Sequence, residues 1–264
     1  MTAIARRFAW LAERGRKAFV PYLTAGDPSI DATEALCWML AEEGADVIEL
    51  GVPFTDPIAD GPTNQRASQR ALDRGVTTGD VLALAGRLKA GGFPLPLVLF
   101  TYANPLLQLP DPAAAFESID GVLVTDLPPE LAGEHIAACA ASGVAPIFLA
   151  APTTPVGRMS SLGLAGGGFL YYVSSKGVTG ARSQLPADLE GQVAAVRAHV
   201  PLPVCVGFGI GTRETAARVC EAADGFVIGS ALGNVIEAAA AAGGDVVEAA
   251  RQFVRSVDPR PKLG

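Results

Sequence analysis

Short apolar runs rich in β-branched residues alternate along the chain with longer Ala-rich stretches of helical period. The runs predict strands at Phe19–Leu23, Val47–Leu50, Leu97–Phe100, Gly121–Val124, Ala145–Leu149, Phe169–Val173, Pro203–Val206 and Gly225–Ile228. The stretches between them predict helices, among them Asp31–Glu43, Gly79–Ala90, Glu130–Ala141, Ala187–His199 and Thr212–Ala222. Asp31 and Thr212 stand where helix N-caps are needed, and Gly44 and Gly91-Gly92 where helices must stop. Strand and helix in turn are the mark of βα units around a parallel sheet. Eight such strands, with no linker or shift of composition, predict an α/β chain: a single closed (β/α)8 TIM barrel over residues 1–264. The amphipathic N-terminus predicts an extra helix before the first strand, and Asn64–Arg74 a short helix inserted after the second.

Composition narrows the function. Half of the residues are apolar, enough for a large core, yet Gly, Pro or charge interrupts every long apolar run. No membrane span and no signal-peptide h-region is predicted. A net charge of −7 argues against nucleic acid as the main partner. Cys37, Cys139, Cys205 and Cys220 sit in apolar contexts without metal spacing, which reads as buried free thiols and a cytoplasmic protein. The two histidines, His135 and His199, fall in predicted helices rather than at strand ends, against a Ser-His-Asp triad and against histidine-ligated metal. No metal ligands are predicted. Gly207-Phe208-Gly209-Ile210-Gly211-Thr212 imitates a dinucleotide fingerprint, but Thr212 replaces its third glycine and no acidic residue ends the next strand.

In a barrel the chemistry lies where strands end. Glu49 is carried by the second predicted strand, on the face it shares with Val47, and Asp60 closes the Pro-rich loop that follows. A carboxyl at the top of an apolar barrel is pushed toward neutrality and becomes able to give and take protons. Asp60, expected on the more solvated loop, would stay ionised and stabilise developing positive charge. Asp56 reads as a turn or surface residue.

Two glycine-rich turns, Gly207–Gly211 and Gly229-Ser230, follow the seventh and eighth strands and open helices, the arrangement that suits a phosphate. Ser174–Gly180 has the composition of a loop closing over substrate. Tyr22, Phe100, Tyr102, Leu127 and Tyr171 would line an apolar end. The substrate so described has a flat apolar head, a short polar linker and a phosphate tail. Lys176, just beyond the sixth strand, leaves open a Schiff-base aldolase.

Several segments carry a resemblance to a known family: Pro21–Pro28, Glu49–Pro62, Tyr102–Pro105, Thr125–Glu130, Gly177–Ala181, Gly207–Ile210 and Ile228–Leu232. Over nearly its whole length the chain resembles the tryptophan synthase α subunits. The resemblance implies a (β/α) barrel lyase that cleaves indole-3-glycerol phosphate to indole and glyceraldehyde 3-phosphate without a cofactor of its own. It implies Glu49 as the general acid/base and Asp60 as the carboxylate that holds the indole N–H. Tyr22, Phe100, Leu127 and Tyr171 would wall the indole. Thr179, Gly180, Phe208, Gly209, Gly229 and Ser230 would surround the phosphate. It further implies a pyridoxal-phosphate β subunit as partner in an α2β2 assembly, met through Pro53–Asp60 and the Asn104 region, with Asp56 in an ion pair. Position 64, commonly apolar in such proteins, is Asn64 here. A stand-alone lyase releasing free indole, and a non-catalytic activating partner, remain alternatives.

Overall fold

In a computed structural model the described residues are 1–109, 116–173, 185–207 and 209–261. Eight parallel strands close on themselves in sequence order. They are β1 (Ala18–Thr24), β2 (Ile48–Gly51), β3 (Leu97–Thr101), β4 (Gly121–Val124), β5 (Ala145–Ala150), β6 (Leu170–Val173), β7 (Val204–Gly207) and β8 (Gly225–Ile228). Closure is made by β1 against β8, with Ala18 opposite Gly225 and Pro21 opposite Ile228.

Alternation along each strand sorts the apolar residues into two cores. Val20, Val47, Val98, Leu123, Ile147 and Val227 fill the barrel interior. Their neighbours Phe19, Ile48, Leu50, Leu97, Leu99, Val122 and Val206 face outward and pack on the helices. Helix α1 (Ala3–Glu13), capped by Thr2, closes the base. Its Ile4, Phe8 and Leu11 join the interior core, and the Phe8 ring lies 5.4 Å from that of Phe169. Gly121 has no side chain where the Ile4 tip enters: an added Cβ would lie 2.6 Å from Ile4 Cδ1. Burying such a side chain in full is worth about 2 kcal/mol.

The outer helices are α2 (Ile30–Glu42), α3 (Pro62–Asp73), α4 (Thr78–Ala90), α5 (Ala103–Leu107), α6 (Gly133–Ser142), α7 (Val156–Ala165), α8 (Leu189–Arg197), α9 (Arg213–Ala222), α10 (Ser230–Ala241) and α11 (Val246–Val257). As the sequence predicts, α3 is inserted between β2 and the regular helix α4. Some helix ends differ. The cap of α2 is Ser29, whose hydroxyl accepts from the Ala32 amide, and Asp31 lies inside the first turn. Helix α6 starts at Gly133, because Pro128, held extended before Pro129, lets only a 3-10 turn, Pro129–Leu131, form before it. Helix α8 ends before His199, which sits in the following turn. Thr212 caps α9 as predicted, in a reciprocal box with Thr215. Cys37, Cys139 and Cys205 are buried thiols, whereas Cys220 is only half-buried. Among the described residues no helix is long and apolar enough to cross a membrane.

Candidate active site

The C-terminal ends of the strands surround a cavity of about 600 Å³, a size suited to a small organic ligand. One side is aromatic and apolar. Tyr22, Phe100 and Tyr171 meet edge to face, with centroids 5.1 Å apart for Tyr22 and Phe100 and 6.4 Å for Phe100 and Tyr171. Leu149, Val173, Ile210 and Val227 extend this wall, joined by Phe253 from α11. Gly51 and Gly207 are required here, since a Cβ at either would collide with the hydroxyl of Tyr22 or of Tyr171. Without a side chain at Gly51, the Tyr22 ring crosses β2 above Glu49.

Glu49 faces the barrel interior as the alternation predicts, and it is 0% exposed. It does not line the cavity; it lies in the layer below, with Tyr22 and Tyr171 close enough to feel its charge. Neither carboxyl oxygen has a hydrogen-bond partner. Burial alone pushes its pKa well above the usual carboxylate range, which favours the protonated form. A buried polar group with no partner is rare in folded proteins and marks function more than structure.

Asp60 corrects an expectation. It lies at the cavity wall but is 8% exposed, not solvated, with Tyr102 and Asn64 bonded to its carboxyl. Burial raises its pKa, and two donors oppose that: the Tyr102 hydroxyl at 2.7 Å from Oδ2 and the Asn64 amide at 3.3 Å from Oδ1. Tyr102 in turn accepts the Ala59 amide at 3.0 Å, which directs its proton to Asp60. Tyr102 therefore orients Asp60 and is not part of the apolar lining. Asp56 is exposed and accepts from the Thr55 hydroxyl at 2.6 Å.

The opposite side is built of backbone. Gly209, Gly211, Thr212, Gly229, Ser230, Ala231 and Asn234 line it. Gly209 adopts a left-handed turn, φ 76°, which favours glycine. The two helix starts differ. The α9 terminus is occupied by its own capping box, and the Gly211 amide donates to Thr215. Helix α10 opens at Gly229 with no side-chain cap and no acid in its first turn. Its first amides and dipole face the cavity, a ready anion site. No Lys or Arg lines the cavity among the described residues.

Of the residues singled out in the sequence, Tyr22, Phe100, Tyr171, Asp60, Gly209, Gly229 and Ser230 are brought together on the cavity. Leu127 is not: it lines an adjoining pocket with Arg158 and Leu162, sharing only Thr125 and Leu149 with the main one. Pro128 and Pro129 turn the chain aside directly after it. Thr179, Gly180, Lys176 and Phe208 lie outside the described residues. Asn234, Thr125 and Leu149 were not singled out by sequence; the Asn234 position one turn into α10 was the available signal.

A buried carboxyl without a partner below an aromatic wall suits acid/base chemistry, and an uncapped helix start beside it suits an anionic group. A family profile described as tryptophan synthase alpha chain matches residues 8–259. The tryptophan synthase alpha chain of Burkholderia ambifaria is 48% identical over 247 residues, 92% of this chain and 91% of that one. The crystal structure of the alpha chain from Legionella pneumophila superposes with a TM-score of 0.89 at 36% identity, covering 97% of this chain and 96% of its own. A structure described as the tryptophan synthase α2β2 complex of Pyrococcus furiosus matches with a TM-score of 0.84 at 35% identity, over 91% and 97%. The chain belongs to the tryptophan synthase alpha chain family, lyases that act on indole-3-glycerol phosphate.

Proposed function

We propose that this one barrel carries out the retro-aldol cleavage with Glu49 as the proton carrier and Asp60 as the charge stabiliser. The indole lies against Tyr22, Phe100 and Tyr171, and the phosphate rests on Gly209, Gly229, Ser230 and the start of α10. Thr179, Gly180 and Phe208 complete the phosphate end. Glu49 gives its proton to indole C3, which turns the ring into an electron sink. Asp60 holds the ring N–H as it gains positive charge. The glycerol hydroxyl then returns a proton to Glu49 while the C–C bond breaks, and its electron pair restores the aromatic ring. Indole and glyceraldehyde 3-phosphate are released, and Glu49 ends as it began. No step draws on a cofactor in this chain; pyridoxal phosphate belongs to the β subunit.

The observation that carries this is the Glu49 carboxyl, fully buried and without a hydrogen bond. With no bond to break, it reaches the cavity by rotation about its own side-chain bonds. A β subunit docks on the same end of the barrel, at the Pro53–Asp60 loop with Asp56 and at Asn104, and indole passes to it. The apolar side chains on this rim support that: Ile58 is 79% exposed, Leu107 77% and Leu131 75%. Indole release from indole-3-glycerol phosphate, assayed with and without a β subunit, tests reaction and partnership together. Cleavage that rises with the β subunit is expected; absence of indole in both arms would reject the reading.

A further inference from the structure

Asn64 touches the cavity but has no part in the chemistry above, and its environment shows what it does there. One oxygen of Asp60 is fixed by Tyr102, whose ring is itself packed 5.1 Å from Phe54. A single donor leaves a carboxylate free to turn about its Cβ–Cγ bond. The Asn64 amide, at 3.3 Å from the other oxygen, removes that freedom. An apolar residue at position 64 would leave Oδ1 without this donor.

The turn that carries Asn64 is pinned on both sides. Gln65 Nε2 donates to the Asp60 carbonyl at 2.9 Å, and Thr63 Oγ1 to Asn234 Oδ1 at 2.9 Å. One turn further on, Arg66 and Arg70 grip Glu237 of α10, and Arg70 also forks onto Asp27. The Asn64 side chain therefore projects from a fixed backbone. The ionisable groups that feel Asp60 are Tyr22 from β1, Tyr171 from β6 and Tyr102 at the start of α5, and Glu49 of β2 acts on the first two. Among the described residues none is a cation, and the donors seen on the carboxyl are neutral.

We propose that Asn64 is a positioning residue, holding the Asp60 carboxylate at the angle at which it meets the ring N–H of the substrate. This rests on the role given to Asp60. Removing a donor from an anionic carboxylate also favours its protonated form, so the acidic limb of kcat/KM moves to higher pH when Asn64 is lost.

The test compares Asn64→Leu, Asn64→Gln, Asp60→Asn and the Asp60→Asn/Asn64→Leu double variant on indole-3-glycerol phosphate, with urea midpoints for each. Asn64→Leu is expected to lower kcat roughly tenfold, as loss of one bond to a charged group does. KM should stay nearly constant, the acidic limb should move up, and Asn64→Gln should recover part of the loss. In the Asp60→Asn background, Asn64→Leu should change kcat by less than about twofold. An unmoved acidic limb, or the same loss in both backgrounds, overturns the proposal. Normal turnover by Asp60→Asn itself would overturn the role of Asp60 and this inference together. Normal Asn64→Leu beside an impaired Asp60→Asn overturns this inference alone.

Discussion

Asp46, just before β2, and Glu49, within it, are three residues apart, and both are buried, 2% and 0% exposed. At the base, Asp46 is saturated. Arg7 forks onto Oδ1 at 2.6 and 3.1 Å, and Oδ2 takes the Phe19 amide at 2.8 Å and Arg260. Arg260, 6% exposed, also donates to the carbonyls of Lys17 and Gly44 and to Asp258. At the mouth, Glu49 has nothing. The same fold thus treats two buried acids in opposite ways. A paired one locks α1, β1, β2 and the C-terminal segment together; the unpaired one, its pKa raised by burial, is the proton carrier of the proposed mechanism.

Substitution separates these two uses. Glu49→Gln should lower indole formation by about a thousandfold, within the range for a lost general acid/base, with circular dichroism unchanged. Near-normal turnover would make Glu49 another structural acid. Asp46→Ala should do the reverse, lowering unfolding free energy by about 3 kcal/mol, because Arg7 loses its carboxylate and Arg260 keeps only Asp258, while kcat per folded molecule holds in urea-free buffer. A loss of kcat at unchanged stability would break the division.

Asp60→Asn lies between the two, because Asp60 is buried yet bonded. A fall of about a hundredfold in kcat with little change of KM is expected, since its charge matters most in the transition state. A KM effect alone would assign it to substrate binding.

The smallest effect concerns pH. The folded pKa of Glu49 is raised, so above the unfolded value of about 4.3 the unfolded chain loses a proton that the folded chain keeps. Glu49 therefore costs stability as pH rises from that value toward its folded pKa. The melting temperature of Glu49→Gln minus that of the parent should grow between pH 5 and pH 8, by about a few degrees; a constant difference would mean Glu49 ionises normally.

Much of this contrast was legible in the sequence. The eight strands could be placed because a barrel strand is an apolar run bounded by Gly, Pro or charge, and alternation from Val47 put Glu49 inside. The partners were not legible. Nothing local in ELGVPFTDPIADGP says that the loop folds back under Tyr102 and buries Asp60, and nothing near Asp46 announces Arg260 from the far end of the chain. Leu127 was misplaced for a similar reason: the direction of the chain after β4 depends on how Pro128-Pro129 packs. Thr212 was legible as the cap of α9; the missing cap of α10 was not, because Gly229-Ser230 reads equally as a tight turn.

The central claim is that Glu49 is neutral at the pH where the enzyme works. Isotope-edited infrared spectroscopy of the labelled Glu49 carboxyl, titrated from pH 4 to pH 9, reports this directly. The protonated carbonyl band is expected at pH 7, giving way to carboxylate only at higher pH. A carboxylate band already complete at pH 6 would contradict it.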